Sequence, residues 1–171
     1  NLVITSIYGI AIYKENFCEE VSIEEINNTE QNYVARIYGK DTICVGIKQE
    51  GFVAITQGKK IIIPVKIEGV KFDGKTYRCD VELTENENEK VVRISSKGLY
   101  LYRHGNLKPY SSVAFNFNLL YSGYYDTMAK LYYAGNNMGV LYKVSPNHID
   151  SFVIPSGKGL IINHIQKIPN G

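Results

Sequence analysis

The segment Gly69–Thr84 reads GVKFDGKTYRCDVELT, and its pattern decides the fold class. Asp73-Gly74 lies between Val70–Phe72 and Thr76–Leu83. An Asp-Gly pair between alternating runs predicts a hairpin, because both turn residues tolerate positive φ. Along the second arm Tyr77, Cys79, Val81 and Leu83 share one face, and Arg78, Asp80 and Glu82 the other. That two-residue period predicts a strand with one buried and one wet side.

The same pattern recurs in both directions. Toward the N-terminus, strands are expected over Leu2–Tyr13, Asn32–Tyr38, Thr42–Lys48, Gly51–Gln57 and Ile61–Ile67. Pro64 cannot donate to a ladder, so Ile61–Ile67 is expected at an edge or a bulge. Toward the C-terminus the strands are Val91–Ser95, Gly98–Arg103, Val113–Tyr121, Thr127–Ala134, Gly139–Val144, Ser151–Ile154 and Gly159–Ile168. The one helix-like signal is a single turn at Ile23–Asn28, where Ser22 and Glu25 have capping-box spacing. About 11–13 short strands at this spacing predict an all-β, antiparallel β-sandwich or jelly-roll-like domain. With 171 residues, a single domain spanning 1–171 is expected.

Composition narrows the function classes. The chain is 44% hydrophobic and 21% charged, a globular balance rather than a disordered one. No apolar run approaches the roughly 20 residues of a helical membrane span. The +2 net charge hides an asymmetry. Residues 1–89 carry 15 acidic and 10 basic side chains, and residues 90–171 carry 2 and 9. The halves either pair within the chain or form opposite faces, which would stack head to tail between copies or set the basic face against an anionic surface.

Catalytic and metal signatures are missing from the sequence. His104, His148 and His164 stand in no nucleophile motif, and there is no paired-histidine or Asp-rich calcium spacing. No cofactor or metal is expected. Gly157-Lys158-Gly159 lacks the spacing of a phosphate loop and is expected to be a turn. Cys18, Cys44 and Cys79 are an odd set without zinc spacing, so either three free thiols or one disulfide plus a thiol fits. The opening at Asn1 without methionine fits either a mature exported product or a chain trimmed at its start, and Asn27-Asn28-Thr29 is a glycosylation sequon that matters only if the protein is exported.

Tyrosine is the most unusual residue type. There are 14, with no Trp, and nine of them lie between Tyr100 and Tyr142. Tyrosine fills cross-strand pairs, lines protein interfaces and stacks sugars or bases. A contact surface is therefore expected from Tyr100, Tyr102, Arg103, Tyr121, Tyr124, Tyr125, Tyr132 and Tyr133. A pI near 8.3 without an RNA-binding motif argues against nucleic acid. In composition the chain resembles small β-sandwich surface and virion proteins. The function expected is non-catalytic: a self-associating subunit of an extracellular filament, surface assembly or virion, joined through edge strands or complementary charged faces. A glycan- or small-ligand-binding domain is the alternative, and a small hydrolase a remoter one.

Overall fold

The computed structural model describes residues 2–6, 9–14, 17–21, 36–39, 42–84, 86, 88–113, 120–155 and 160–168. The fold is all-β and sandwich-like, with sixteen strands and no helix among the described residues. The expected turn at Ile23–Asn28 and the Asn27 sequon lie outside them, as does the Gly157-Lys158-Gly159 turn.

Four sheets form. β1 (Leu2–Ser6), β2 (Gly9–Lys14) and β3 (Phe17–Val21) make an antiparallel meander. Leu2–Tyr13 is thus two strands rather than one, with Gly9 opposite Ser6 at the reversal. β4 (Arg36–Gly39), β5 (Thr42–Lys48), β6 (Gly51–Thr56) and β7 (Lys59–Pro64) pair in sequence order. β7 is an edge, as Pro64 requires. Gly51 holds a φ of +139°, and a Cβ there would strike the Ile63 carbonyl, so the β5–β6 connection demands glycine.

The third sheet runs β8 (Lys66–Ile67), β12 (Asn106–Pro109), β11 (Gly98–Arg103), β10 (Glu89–Ile94), β9 (Cys79–Leu83). Only its β12–β8 pair is parallel. The fourth is a meander of β13 (Leu120–Asp126), β14 (Leu131–Asn136), β15 (Val140–Val144) and β16 (Ile149–Val153).

The third sheet is the middle layer. In β10, Val92 and Ile94 join a core with Cys44, Ile47 and Phe52 of the second sheet. Val91, one residue out of phase, joins a core with Tyr125, Tyr132, Ala134 and Val144 of the fourth. β11 divides the same way, with Tyr100 in the first core and Leu99 in the second. Successive side chains point to opposite faces, so a strand covered on both sides reads as an unbroken buried run. Val91, Val92, Arg93 and Ile94 are all buried.

Two expectations for Gly69–Thr84 need correction. The Asp73-Gly74 turn forms, with Gly74 at φ +83° and Asp73 Oδ1 accepting the Lys75 amide at 3.2 Å. Val70–Phe72 is not a strand, however, and the segment's ladder partner is β10 instead. The side expected to be wet is also covered. Asp80 is 4% exposed and Arg93 7%, and the two form an ion pair across β9 and β10. The fourth sheet lies over that face, and Arg93 Nη1 donates to the Leu120 carbonyl at 2.5 Å. Polar residues on one face look solvated in sequence but are buried here because they satisfy one another.

The strand expected over Gly159–Ile168 is not formed in residues 160–168. Ile162 instead lies against the outer face of the fourth sheet. Its amide donates to Asn136 O at 3.0 Å, and its carbonyl accepts Ser122 Oγ at 2.6 Å. A Cβ on Gly135 would collide with the Ile162 side chain, so glycine there opens the seat for this crossing segment.

Candidate functional site

Strand register decides where the tyrosines point. One cross-strand row holds Tyr125, Tyr132, Val144 and Ile149, and it faces the core. The next row holds Tyr124, Tyr133, Lys143 and Asp150, on the opposite face. The adjacent pairs Tyr124-Tyr125 and Tyr132-Tyr133 are therefore each split between the two faces. Tyr125 packs edge-on to Tyr110, with centroids 6.3 Å apart at 87°. Tyr110 Oη donates to Lys130 O at 2.9 Å. Burial, reinforced by the neighbouring Tyr125, pushes the Tyr110 phenol well above its usual range.

Tyr100 is buried in the first core, donating its hydroxyl to Lys97 O at 3.0 Å. Tyr102 packs beside that core, edge-on to Phe52 at 5.7 Å. Of the eight expected contact residues, Tyr100, Tyr125 and Tyr132 are core. Arg103 is exposed and held by Glu89, its Nε donating to Oε2 at 2.9 Å. Tyr121 and Tyr124 meet at a cleft, while Tyr133 lies beside Tyr124 in the outer row.

That cleft, of about 360 Å³, opens where β9, β13 and residues 163–166 converge. Arg78, Asp80 and Glu82 of β9 and its approach line one side, with Tyr121, Tyr124 and His164 on the others. Asp80 sits between two guanidiniums, with Arg78 Nη2 at 3.5 Å on one side and Arg93 on the other. Burial alone disfavours the Arg93 charge, but the Asp80 carboxylate, then Tyr132 and Glu82, outweigh it and raise its pKa. The cleft is thus polar and charge-balanced, with Tyr121 and Tyr124 in its wall. His148 is exposed and Asp150 half-buried, 2.8 Å apart, and Ser145 Oγ accepts the His148 amide at 3.0 Å. That geometry braces the β15–β16 turn.

The fourth sheet also ends in an open edge, which the tyrosine pattern does not reveal. β16 pairs with β15 only, among the described strands. Ile154 N donates to Gly139 O at 3.0 Å, and Ser145 N to His148 O at 2.8 Å. These fix the phase of the antiparallel ladder. Residues 148, 150, 152 and 154 bond inward to β15, so Ile149, Ser151 and Val153 direct their N–H and C=O groups outward. Phe152 is 52% exposed and Val153 71%, and Ile154 continues the exposed apolar run.

β7, an edge strand of the second sheet, is built differently. It carries Lys59, Lys60 and Pro64, the residue types that block strand addition. Ser151–Ile154 carries no charge and no proline. Sequence reading recovers this strand but not its edge position, since strand order is absent from a local pattern. The uncharged run Phe152-Val153-Ile154 is the signal that points to it.

Among the described residues, no three His, Cys, Asp or Glu side chains cluster to hold a metal ion. No helix among them is long and apolar enough to cross a membrane. Comparison with protein-family profiles gives no match, and comparison with curated proteins gives none either.

Proposed function

We propose that this chain is a non-catalytic interaction module that associates with a second copy of itself through the open edge of β16. The observation that carries the reading is the contrast between two of the edge strands, β7 and β16. β7 is guarded by two lysines and a proline, whereas β16 has Asp150 as its one charge, exposes Phe152 and Val153, and has no strand paired outside it among the described residues.

The strand is also self-complementary. An antiparallel two-fold centred on Ser151 sets Ile149 opposite Val153 twice, and Asp150 opposite Phe152 rather than opposite its own copy. The outward residues Ile149, Ser151 and Val153 then supply the new ladder bonds, as an isologous β-interface requires. The charge asymmetry of the chain supports further contacts between copies. A surface assembly, filament or virion is the setting we propose for such a module.

The test is light scattering over a concentration series on the wild type and two edge variants. Ser151→Pro removes an outward N–H without touching the β15 ladder. Val153→Lys places a charge on the edge of each copy. Wild type is expected to gain mass with concentration. Each variant is expected to weaken association at least about tenfold, a change of about 1.4 kcal/mol, with an unchanged circular dichroism spectrum. A wild type that stays monomeric throughout contradicts the proposal. If that monomer binds a glycan saturably, and Tyr121→Ala abolishes the binding, the function moves to the cleft.

A further inference from the structure

Cys44 on β5 and Cys79 on β9 come from different sheets and meet in the first core. Both are fully buried, and their Sγ atoms lie 3.2 Å apart. A disulfide needs about 2.05 Å, so closing the gap takes a relative shift of about 1.2 Å. The backbone already holds the two strands for it. Ile47 and Tyr77 form an antiparallel bridge, with Ile47 N to Tyr77 O and Tyr77 N to Ile47 O both at 2.8 Å. Cys44 stands three residues before one end of that bridge and Cys79 two after the other. A register shift between Cys44 and Gly46 turns the Cys44 side chain toward β9. Gly46 makes the approach possible, because a Cβ there would lie 2.7 Å from the Thr76 methyl and 3.0 Å from the Tyr77 carbonyl.

We infer that Cys44 and Cys79 are a disulfide-forming pair that staples the second sheet to the middle sheet when the chain meets a disulfide oxidant. The reaction is thiol–disulfide exchange with a small-molecule or protein disulfide. One cysteine thiolate attacks the oxidant disulfide, forming a mixed disulfide and releasing one oxidant thiolate. The other cysteine thiolate then attacks the protein sulfur of that mixed disulfide and expels the second oxidant thiolate. The two cysteines lose two protons and two electrons, and the oxidant becomes two thiols.

In the folded dithiol, the contact with Cys44 and then burial hold the Cys79 thiol well above its ordinary pKa, so the thiolate is scarce there. Oxidation therefore belongs to folding, before the two sheets close over the pair. Once formed, the bond is sealed from reductants by the same core. The bridge spans 35 residues of sequence, long enough for a substantial restriction of the unfolded chain.

The experiment refolds the full-length chain from its reduced, denatured state in a glutathione redox buffer. Free thiols are then alkylated, and disulfide-linked peptides are mapped without reduction. The expected product is two hydrogens lighter than the trithiol before alkylation, and after it has Cys44 joined to Cys79 and the alkyl group on Cys18. Its melting temperature is expected about 10 °C above that of the reduced protein. Cys18→Ala keeps that difference, and Cys79→Ala abolishes it. Alkylation of both Cys44 and Cys79, a bond from Cys18 to either, or equal melting of the oxidised and reduced forms overturns the inference.

Discussion

Asp80→Ala lowers the unfolding free energy by roughly 3–5 kcal/mol, because it leaves buried positive charge without its partner. The side chains of Asp80 and Arg93 are 5% and 8% exposed. With the carboxylate gone, Arg93 keeps the Leu120 carbonyl, and Arg78 loses its Asp80 partner as well. Arg93→Ala is also destabilising, but less so, since Asp80 retains Arg78 at 3.5 Å. Replacing both together, Asp80→Leu with Arg93→Met, recovers most of the loss, because apolar side chains of similar volume avoid the desolvation that the pair must offset. Urea unfolding of the two alanine variants and the double variant checks all three values. Losses below about 1 kcal/mol for Asp80→Ala are those of a solvated surface pair, and would mean that the fourth sheet does not cover β9.

The second large effect concerns the two cores. Phe52→Ala empties the first core and Tyr132→Ala the second, and each costs roughly 3–5 kcal/mol. Phe52 and Tyr132 are both fully buried, on opposite sides of the middle sheet. β10 contributes Val92 to one core and Val91 to the other, so neither core loosens without disturbing the strand they share. The two substitutions are therefore expected to shift the same single transition, seen identically by tyrosine fluorescence and far-ultraviolet circular dichroism. Two separate transitions, each moved by only one of the variants, would contradict a shared middle layer.

The residues show what was legible in advance. The all-β class followed from two-residue alternation, and β9 carries that alternation in Cys79, Asp80, Val81, Glu82 and Leu83. Pro64 placed β7 at an edge for a reason internal to its own backbone. The opposite facing of Tyr132 and Tyr133 needs only the two-residue period of a strand. What the local pattern does not carry is which faces a second layer covers. Asp80 looks the same in sequence whether water or a second sheet covers it, and only the Arg93 pairing across the ladder distinguishes the two. The apolar run Gly159–Ile168 has β propensity, yet Ile162 found its hydrogen bonds at Ser122 and Asn136 on a sheet face. Clustering of tyrosine between Tyr100 and Tyr142 suggested a surface, but Tyr100, Tyr125 and Tyr132 fill cores. Phe152 and Val153 are exposed apolar residues outside that cluster, and their edge position depends on strand order.

Amide hydrogen exchange on β16, in dilute and in concentrated protein, tests the self-association reading most directly. In dilute protein, the Ile149, Ser151 and Val153 amides point to solvent and are expected to exchange quickly, while those of Phe152 and Ile154 are protected by β15. In concentrated protein, the outward three are expected to become protected as the mass rises, with the inward ones little changed. A rise in mass that leaves the Ile149, Ser151 and Val153 amides exchanging at their dilute rates would contradict the account.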